Sequence, residues 1–330
     1  MRKNVILVVG GAGYIGSHMV KALLDHGARV LTLDNLSRGN SDLLPGGEFR
    51  NGDLGDAALL DDIFSNNNVD AVMHFAAHSI VPESVRNPLE YYENNVAKTI
   101  RLLRAMVEHG IKYFIFSSSA AVYGEPVKVP IEEEHPCQPS NPYGMGKWMV
   151  EQVLKDCGSA YGLKYVSLRY FNAAGADNLG AIGERHNPET HLIPLVLKAA
   201  LGEINQIKIY GTDYSTLDGT CIRDYIHVSD LIQAHLLALE MLLDGVESAI
   251  YNLGNSKGYS VRDVIKVAQR VTKRDIPAVE EGRRLGDPPV LIANSERIHR
   301  ELGWKPMYED LEDIIRTAWI WHQNDAKRGK

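Results

Sequence analysis

The 330-residue sequence has few cysteines, no long apolar run and no excess of basic residues. Its three cysteines, Cys137, Cys157 and Cys221, are widely spaced and form no CxxC pair, which favours reduced, structural thiols over a disulfide framework. The formal net charge of -7 argues against non-specific binding to nucleic acid, which needs a basic surface. No apolar run approaches the roughly 18 residues of a membrane span. We therefore expect a globular protein with no nucleic-acid or membrane partner.

Export signals and metal motifs are also missing. The apolar run Val5–Val9 is too short for the core of a signal peptide, and Gly10 and Gly11 end it, so the sequence predicts a cytoplasmic protein. The twelve histidines show neither His-Glu-x-x-His nor another metal-ligand spacing. The sequence therefore predicts no metal site.

Apolar and amphipathic runs alternate through the first half of the chain. The predicted strands are Val5–Val9, Arg29–Asp34, Ala71–Ala76, Tyr113–Ser119 and Tyr165–Tyr170. The predicted helices are Tyr14–His26, Ala57–Asn66, Leu89–His109 and Tyr143–Gly158. Continuous apolar strands separated by helices indicate a parallel sheet covered on both faces. Right-handed crossovers make this an α/β fold with a doubly wound, Rossmann-like sheet.

The regular alternation of predicted strands and helices ends after Asn172. A loop rich in glycine and asparagine follows over Ala173–Glu189, and shorter elements come after it. These include predicted helices at His191–Leu201, Val228–Leu243, Ser260–Thr272 and Glu309–His322, and predicted strands at Ile207–Tyr210 and Ile250–Leu253. We expect a nucleotide-binding domain over residues 1–172, to which residues 228–253 return. Residues 173–330 would form a smaller α/β domain.

A glycine-rich turn follows the first predicted strand. The segment from Gly10 to Gly16 is Gly-Gly-Ala-Gly-Tyr-Ile-Gly, and a predicted helix follows. The first glycine permits a tight turn, Gly13 lets the backbone approach a pyrophosphate, and Gly16 permits close packing of helix and strand. The helix N terminus offers N–H groups and a partial positive charge to phosphates. The pattern predicts a dinucleotide site.

Asp34 ends the second predicted strand, near the spacing of about 20 residues that is typical of a ribose contact. A carboxylate accepts hydrogen bonds from both ribose hydroxyls and repels a 2′-phosphate. Asp34 therefore favours NAD over NADP as the cofactor. The nearby Arg38 would instead favour NADP, because its guanidinium could accommodate that phosphate.

The spacing GxxGxxG resembles that of the extended branch of the short-chain dehydrogenase/reductase superfamily. Asp53-Leu54 matches the position that contacts adenine in that branch, and Phe75-Ala76-Ala77 matches the segment beside the pyrophosphate and the nicotinamide ribose. The resemblance also implies cofactor contacts at Tyr14, Ile15, Asn35, Ser37, Asn94 and Tyr170.

Tyr143 and Lys147 are four residues apart at the start of a predicted helix, which places them on one face. A free tyrosine has a pKa of about 10, and a nearby ammonium favours the phenolate. We therefore expect Lys147 to lower the pKa of Tyr143 and make it a usable base. Lys147 is also expected to hold the nicotinamide ribose. The resemblance places the hydroxyl donor at Ser119, with Ser118 as a less favoured alternative.

Six further motifs are similar to those of the UDP-glucose 4-epimerase family, over nearly the whole chain. They are Glu90–Asn95, Ser117–Gly124, Asn141–Gly144, Leu168–Gly175, Gly219–Asp230 and Arg284–Asp287. The resemblance implies that UDP-glucose and UDP-galactose are interconverted. Tyr143 would take the proton of the sugar 4-hydroxyl while hydride leaves C4 for NAD+. The 4-keto sugar would then rotate and accept both again with inverted configuration.

The resemblance also implies how a UDP-hexose is bound. Arg223 and Arg284 match diphosphate-binding positions, Asp287 a uridine ribose ligand and Asn172 a contact beside the reacting sugar. Ser119 and Tyr143 would contact the same sugar. His191 and Leu192 complete the implied substrate contacts. The family pattern further implies a homodimer, paired through the helices near 89–109 and 143–158.

Several alternatives remain open at this point. Leu291 lies where the family varies the size of the sugar pocket, so UDP-GlcNAc and UDP-GalNAc stay open as substrates. A related dehydratase would carry an acidic pair where this chain has Ala120 and Ala121. A UDP-glucuronate decarboxylase is not excluded by spacing. A non-catalytic NAD-sensing scaffold would be expected to lose Tyr143 or Lys147, and both are present.

Overall fold

The structure is a computed structural model that describes residues 4–284 and 286–328. Within those residues the chain forms two compact units. Unit 1 comprises residues 1–124, 136–169 and 232–251, and unit 2 comprises residues 125–135, 170–231 and 252–330, each as far as it is described. In the described part of the chain, no helix has an apolar stretch long enough to cross a bilayer.

The strands and helices are numbered in chain order. The strands are β1 (Val5–Val9), β2 (Arg29–Asp34), β3 (Glu48–Asn51), β4 (Ala71–His74), β5 (Tyr113–Ser119), β6 (Lys164–Tyr170), β7 (Asn172–Ala174), β8 (Ile207–Tyr210), β9 (Ile222–Arg223), β10 (Tyr225–His227), β11 (Ala249–Leu253), β12 (Tyr259–Ser260), β13 (Ala278–Glu281) and β14 (Val290–Leu291). The helices are α1 (Tyr14–Asp25), α2 (Ala57–Asn66), α3 (Val81–Arg86), α4 (Pro88–Tyr92), α5 (Lys98–Glu108), α6 (Pro142–Tyr161), α7 (Leu192–Leu201), α8 (Val228–Leu243), α9 (Val261–Thr272), α10 (Glu296–Leu302) and α11 (Leu311–Arg328).

Unit 1 is built on a seven-stranded sheet in the order β11-β6-β5-β4-β1-β2-β3. β1 pairs in parallel with β2 and β4, β2 with β3, and β4 with β5. Four of the five residues of β1 are buried, as expected for a central strand with helices on both faces. The prediction of a doubly wound parallel α/β fold is confirmed.

Unit 2 contains three small sheets and a helical core. β10 pairs with β7, β13 pairs with β8, and β9 lies between β12 and β14. The core is formed by apolar side chains of α7, α9 and α11 together with β8. α9 begins with a capping box, in which Ser260 and Asp263 satisfy each other's backbone N–H groups.

Three predicted helices differ from the observed ones by more than one residue. The predicted helix Glu309–His322 is observed as α11, which runs from Leu311 to Arg328. The predicted helix Leu89–His109 is interrupted by a π-helical turn at Glu93–Ala97, which separates α4 from α5. The predicted end of α6 at Gly158 is wrong, because the helix continues to Tyr161. Gly162 ends it with a φ of 69°, a left-handed conformation that glycine adopts without strain.

A buried ion pair holds α6 against the sheet. Arg169 donates from Nη2 to Oε2 of Glu151 over 2.7 Å and from Nε to Oε1 over 3.0 Å. The two side chains are 5% and 1% exposed. Ser118 donates to the same carboxylate over 2.5 Å, and Arg169 also donates to the hydroxyl of Tyr123 over 2.8 Å. The network thus ties β5, β6 and α6 together.

We expect Glu151→Gln to lower the free energy of unfolding by about 3–5 kcal/mol, because it leaves the guanidinium of Arg169 buried without its counter-charge. The measurement is denaturant unfolding of both proteins. Glu132→Gln is the matched control, since Glu132 pairs with Lys128 at the surface, where removal should cost less than about 1 kcal/mol. Equal losses in the two variants would contradict the assigned role of the buried pair.

Candidate active site

The glycine turn lies where β1 ends and α1 begins. Gly10 has a φ of 81° and donates its N–H to the carbonyl of Leu33 on β2 over 2.8 Å. A Cβ on Gly16 would lie 2.1 Å from the carbonyl oxygen of Gly10, so only glycine lets α1 pack this closely on the turn. Gly13 differs, because a Cβ there would meet nothing closer than 3.4 Å. The chain therefore leaves open space at Gly13, which is the N-cap of α1 and provides no side-chain cap.

Asp34 lies at the end of β2, next to the same turn. Its carboxylate accepts N–H groups from Ala12 over 2.9 Å and from Leu36 over 2.8 Å. Burial raises the pKa of Asp34 above its usual value, and it outweighs the two hydrogen bonds, which act to lower the pKa. A Cβ on Gly39 would lie 2.9 Å from Oδ1 of Asp34, so this glycine keeps the space at the carboxylate open.

Arg38 is engaged elsewhere in unit 1. Its Nη2 donates to both carboxylate oxygens of Glu83, over 3.0 and 2.9 Å. A guanidinium paired in this way is already neutralised, which weakens the case for a 2′-phosphate. The arrangement of Asp34 and Arg38 favours NAD.

A cavity of about 410 Å³ lies beside these residues in unit 1. Its walls are Asn35, Ser37, Arg38, His78, Glu90, Glu93, Asn94 and Lys98. Three of the predicted cofactor contacts, Asn35, Ser37 and Asn94, are among them. Asp53 is held nearby, because it accepts hydrogen bonds from Asn35 and Lys98 over 2.8 Å each. Burial raises the pKa of Asp53, but the hydrogen bonds from Lys98, Gly55 and Asn35 outweigh it and the pKa is lowered.

Sequence reasoning missed Lys98 and the role of Asn95. Lys98 follows Asn94 by four residues and so lies on the same face, a spacing that could have revealed it. Asn95 accepts the N–H of His78 over 2.8 Å and donates to its carbonyl over 2.9 Å. Both asparagines belong to the π-helical turn, a feature that is frequent at functional sites.

The other predicted cofactor contacts lie as follows. Tyr14 and Ile15 are in the first turn of α1, and Leu54 is buried after β3. The N–H groups of Phe75 and Ala76 both donate to the carbonyl of Val9, over 2.8 and 3.1 Å, and Ala77 follows them. This segment is therefore fixed to the end of β1. Tyr170 is buried at the end of β6, in unit 2.

Tyr143, Lys147 and Ser119 come together in unit 1. Asn141 caps α6 by accepting the N–H of Gly144 over 2.9 Å, and Pro142 occupies the first helical position. Tyr143 and Lys147 then lie on one helix face, with Nζ of Lys147 5.9 Å from the centre of the Tyr143 ring. Ser119, at the end of β5, is close enough to the hydroxyl of Tyr143 to lower its pKa.

The pKa of Tyr143 differs from the sequence expectation. Burial raises it, and the hydrogen bond with Ser119 only partly lowers it. Burial also lowers the pKa of Lys147 to about 7, against a smaller opposing effect of Glu151. Lys147 donates to the carbonyl of Ser117 over 2.6 Å. The expected lowering of the pKa of Tyr143 is therefore wrong for this structure, because burial outweighs the lowering effect of Ser119.

The three consecutive serines have different roles. Ser117 contributes its carbonyl to Lys147, and Ser118 donates its hydroxyl to Glu151. Ser119 is the one that contacts Tyr143, and it also accepts the N–H of Ala121 over 3.2 Å. The geometry therefore favours Ser119 over Ser118 as the hydroxyl beside the base.

Unit 2 brings together some of the predicted substrate contacts. Arg223 on β9 lies 3.4 Å from the carboxylate of Asp287 and donates to the carbonyl of Pro288 over 2.9 Å. The guanidinium of Arg284 lies 3.8 Å from the centre of the Tyr210 ring. Asn172 is on β7, where its N–H donates to the carbonyl of Asp224 over 3.0 Å. Leu285, inside the Arg284–Asp287 motif, lies outside the described residues.

His191 and Leu192 lie at the start of α7, of which His191 is the N-cap. The Nδ1 atom of His191 is 2.5 Å from Oε1 of Glu184. Glu184, His186, Glu189 and His191 form one cluster of possible metal ligands, which the sequence analysis did not predict. The spacing Glu-x-His-x-x-Glu-x-His was the available signal, but it is not among the common metal motifs.

Fold and site together define an NAD-dependent enzyme of the short-chain dehydrogenase/reductase type. Residues 6–254 match the profile of the NAD dependent epimerase/dehydratase family, and the chain belongs to this family. It is 54% identical over 318 residues to the UDP-glucose 4-epimerase of Halalkalibacterium halodurans, covering 96% of this chain and 95% of that protein.

The chain is also similar to solved structures of UDP-glucose 4-epimerases. The UDP-glucose 4-epimerase from Brucella ovis in complex with NAD is 47% identical with a TM-score of 0.93, covering 96% of this chain and 97% of the other. The enzyme from Bifidobacterium longum in complex with NAD+ and UDP is 38% identical with a TM-score of 0.92, covering 98% and 99%. The predicted resemblance to the epimerase family is thereby confirmed.

The residues present in unit 1 fit NAD. Open space at Gly13 suits a diphosphate at the N terminus of α1, and Asp34 with the space kept by Gly39 suits a ribose diol. Lys147 and Tyr143 would hold the nicotinamide ribose. The family is NAD dependent, and this fit agrees with it.

We expect Gly13→Ala to weaken NAD binding at least tenfold while changing the free energy of unfolding by less than about 1 kcal/mol. Gly13 has a φ of -79° and room for a Cβ, so the fold tolerates alanine, but the methyl group occupies the space that the diphosphate needs. Calorimetric titration with NAD and denaturant unfolding measure the two effects. Gly282→Ala, where a Cβ meets nothing within 4 Å, is the control. Unchanged affinity in Gly13→Ala would contradict this placement.

The burial of Lys147 predicts a pH dependence of stability. Its pKa is about 7 in the fold and 10.5 ordinarily, so between these values the unfolded chain binds a proton that the folded chain does not. Stability should therefore rise with pH in this window. After removal of bound dinucleotide, we expect the wild type to gain about 2 kcal/mol relative to Lys147→Met between pH 7 and pH 9. A difference that does not vary with pH would show that Lys147 titrates normally.

Proposed function

We propose that the chain interconverts UDP-glucose and UDP-galactose by reversible oxidation at sugar C4. The observation that carries the proposal is that Tyr143 and Lys147 share one face of α6, with Nζ of Lys147 5.9 Å from the centre of the Tyr143 ring. Ser119 lies near the Tyr143 hydroxyl, in the same unit as the NAD-binding turn. Full-length relatives named UDP-glucose 4-epimerase support it. The rival dehydratase lacks support, because Ala120 and Ala121 have no group that can transfer a proton.

Tyr143 acts as the base and Ser119 positions the sugar. As the phenolate, Tyr143 takes the proton of the 4-hydroxyl, and Ser119 hydrogen-bonds the same oxygen. NAD, when bound, supplies the acceptor and later donor of the C4 hydride and, in its oxidised form, a positive charge that favours the phenolate. After the 4-keto sugar has turned its other face, Tyr143 returns the proton to the oxygen at C4. No net oxidation occurs.

Burial explains why Tyr143 needs its partners. Alone, its pKa is raised, so the phenolate would be scarce at pH 7. The hydrogen bond from Ser119 and any charge on Lys147 oppose that effect. The single hydroxyl proton of Ser119 stabilises the phenolate before the sugar binds, and it is donated to the sugar oxygen once that oxygen lies beside both side chains.

We propose that the UDP moiety is bound by residues of unit 2. Arg223 and Arg284 supply charge and donors for a diphosphate, Asp287 accepts from the uridine ribose, and Asn172, His191 and Leu192 contact the substrate. Arg223 lies 3.4 Å from Asp287, so the proposed diphosphate and ribose contacts are neighbours in unit 2. Loss of UDP affinity in Arg223→Gln, measured by titration with UDP, would be consistent with it, and unchanged affinity would contradict it.

The homodimer and the cytoplasmic location are also proposals. The family resemblance supports pairing through the helical segments near 89–109 and 143–158. Leu89, which is 82% exposed, and Met149, which is 40% exposed, are apolar side chains of those segments that a partner copy could cover. Sedimentation velocity that gave only a monomer at micromolar concentration would contradict the dimer.

We expect Tyr143→Phe to lower kcat with UDP-galactose by about 10²–10⁴-fold while NAD binding is kept, because only the proton-transferring oxygen is removed. Conversion to UDP-glucose is followed by chromatography of the nucleotide sugars. Tyr161→Phe is the matched control: it is the same substitution on the same helix, at a side chain that is 61% exposed.

The same assay with UDP-GlcNAc and UDP-GalNAc shows whether N-acetylated UDP-hexoses are also substrates. Near-normal turnover by Tyr143→Phe would overturn the assigned base. A wild type that binds NAD yet converts none of the four sugars would favour a non-catalytic role.

A further inference from the structure

Four side chains of unit 2 converge on one point ahead of α7. One oxygen or nitrogen each from Glu184, His186, Glu189 and His191 lies within 4.8 Å of all the others. The carboxylates of Glu184 and Glu189 are only 6% and 3% exposed. Two carboxylates buried this deeply need a counter-charge close by.

Three of the four distances between the donor atoms suit a tetrahedral ion. Nδ1 of His186 lies 3.1 Å from Oε1 of Glu184 and 3.7 Å from Oε2 of Glu189. Nδ1 of His191 lies 2.5 Å from Oε1 of Glu184 and 3.5 Å from Oε1 of Glu189. Zinc bonds of about 2.0–2.1 Å in tetrahedral geometry place neighbouring ligands roughly 3.3 Å apart. The separations of 3.1, 3.5 and 3.7 Å lie near that value. The 2.5 Å between His191 and Glu184 is a hydrogen-bond distance, so these two side chains would move apart when an ion binds.

The cluster also contains a buried ring nitrogen that makes no hydrogen bond. Nδ1 of His186 is shielded from solvent and has no hydrogen-bond partner of acceptable geometry. Among the described residues, no lysine or arginine pairs with Glu184 or Glu189, although Lys198 lines the adjoining cavity of about 110 Å³. A cation bound between the four side chains would satisfy the nitrogen and both carboxylates at once.

We propose that Glu184, His186, Glu189 and His191 bind a structural Zn²⁺ ion. Two imidazole nitrogens and two carboxylate oxygens form a donor set that suits zinc, whereas Mg²⁺ and Ca²⁺ prefer six or more oxygen ligands. All four positions are filled by protein, as in structural sites. The side chain of His191 is 48% exposed and gives the ion a route in. This site was not expected from the sequence.

A zinc ion here would fix the segment that leads into α7. His191 is the N-cap of α7, and the three other ligands lie within the seven residues before it. Coordination through Nδ1 leaves Nε2 of His191 and the backbone of Leu192 available for the substrate contacts proposed above. The ion is therefore distinct from the chemistry at Tyr143, and its presence does not depend on the proposed reaction.

Metal content and thermal stability test the site directly. The untagged full-length protein, purified without immobilised metal, is expected to carry about one zinc per chain by mass spectrometry. Removal of zinc with a chelator should lower Tm, and zinc added back at 100 times its Kd should raise Tm by about 4 °C. Co²⁺ added to the chelated protein should give the visible absorption bands of a four-coordinate ion.

Two variants and one control separate a zinc site from a pair of ion pairs. Glu189→Gln and His186→Gln should each lose the zinc and the Tm response to it. Glu203→Gln, on the wall of the same cavity but outside the cluster, should keep both. The proposal is overturned if the wild type holds no more zinc than Glu189→Gln and its Tm does not respond to zinc, because two imidazolium–carboxylate pairs would then account for the cluster. Equal loss of zinc in Glu203→Gln would overturn it as well.

Discussion

The buried ion pair between Arg169 and Glu151 fixes the helix on which the proposed chemistry depends. Glu151 is four residues beyond Lys147 and eight beyond Tyr143, so all three side chains lie on one face of α6. Its carboxylate is bound at the same time by Arg169 from β6 and by Ser118 from β5. The strand that ends in Ser119 is thus joined to the helix that begins near Tyr143. The buried ion pair therefore holds β5 and α6 together, and this fixes the position of Ser119 relative to Tyr143.

The same burial makes the charges of the site mutually dependent. Tyr143 is harder to ionise than a free tyrosine, and Lys147 is easier to neutralise than a free lysine. At pH 7 Tyr143 alone would therefore be a poor base, and Lys147 alone would carry less positive charge than a free lysine. Each charged form becomes favourable only when an opposite or hydrogen-bonding partner is close, which Ser119 and the oxidised cofactor supply. The site therefore couples the protonation of its residues to what is bound there.

Much of the fold could be predicted from the sequence because its signals are local. β1, β2 and β5 are apolar runs bounded by polar or glycine residues, and the observed bounds agree with the predicted ones. β3 (Glu48–Asn51) was missed because a polar edge strand has no such run. The direction of the pKa shift of Tyr143 was wrong because burial comes from the tertiary structure. The cluster around Glu184 was missed because its ligand spacing matches no familiar motif.

The shared face of α6 makes the length of that helix segment as important as its composition. An inserted or deleted residue between Tyr143 and Glu151 would rotate everything beyond it by about 100° around the helix axis. The base would then point one way and the anchoring carboxylate another, even with every side chain still present. Over these nine positions, 143–151, natural variation should therefore consist of replacements only. Changes in chain length should instead collect after Gly162, where the helix has ended.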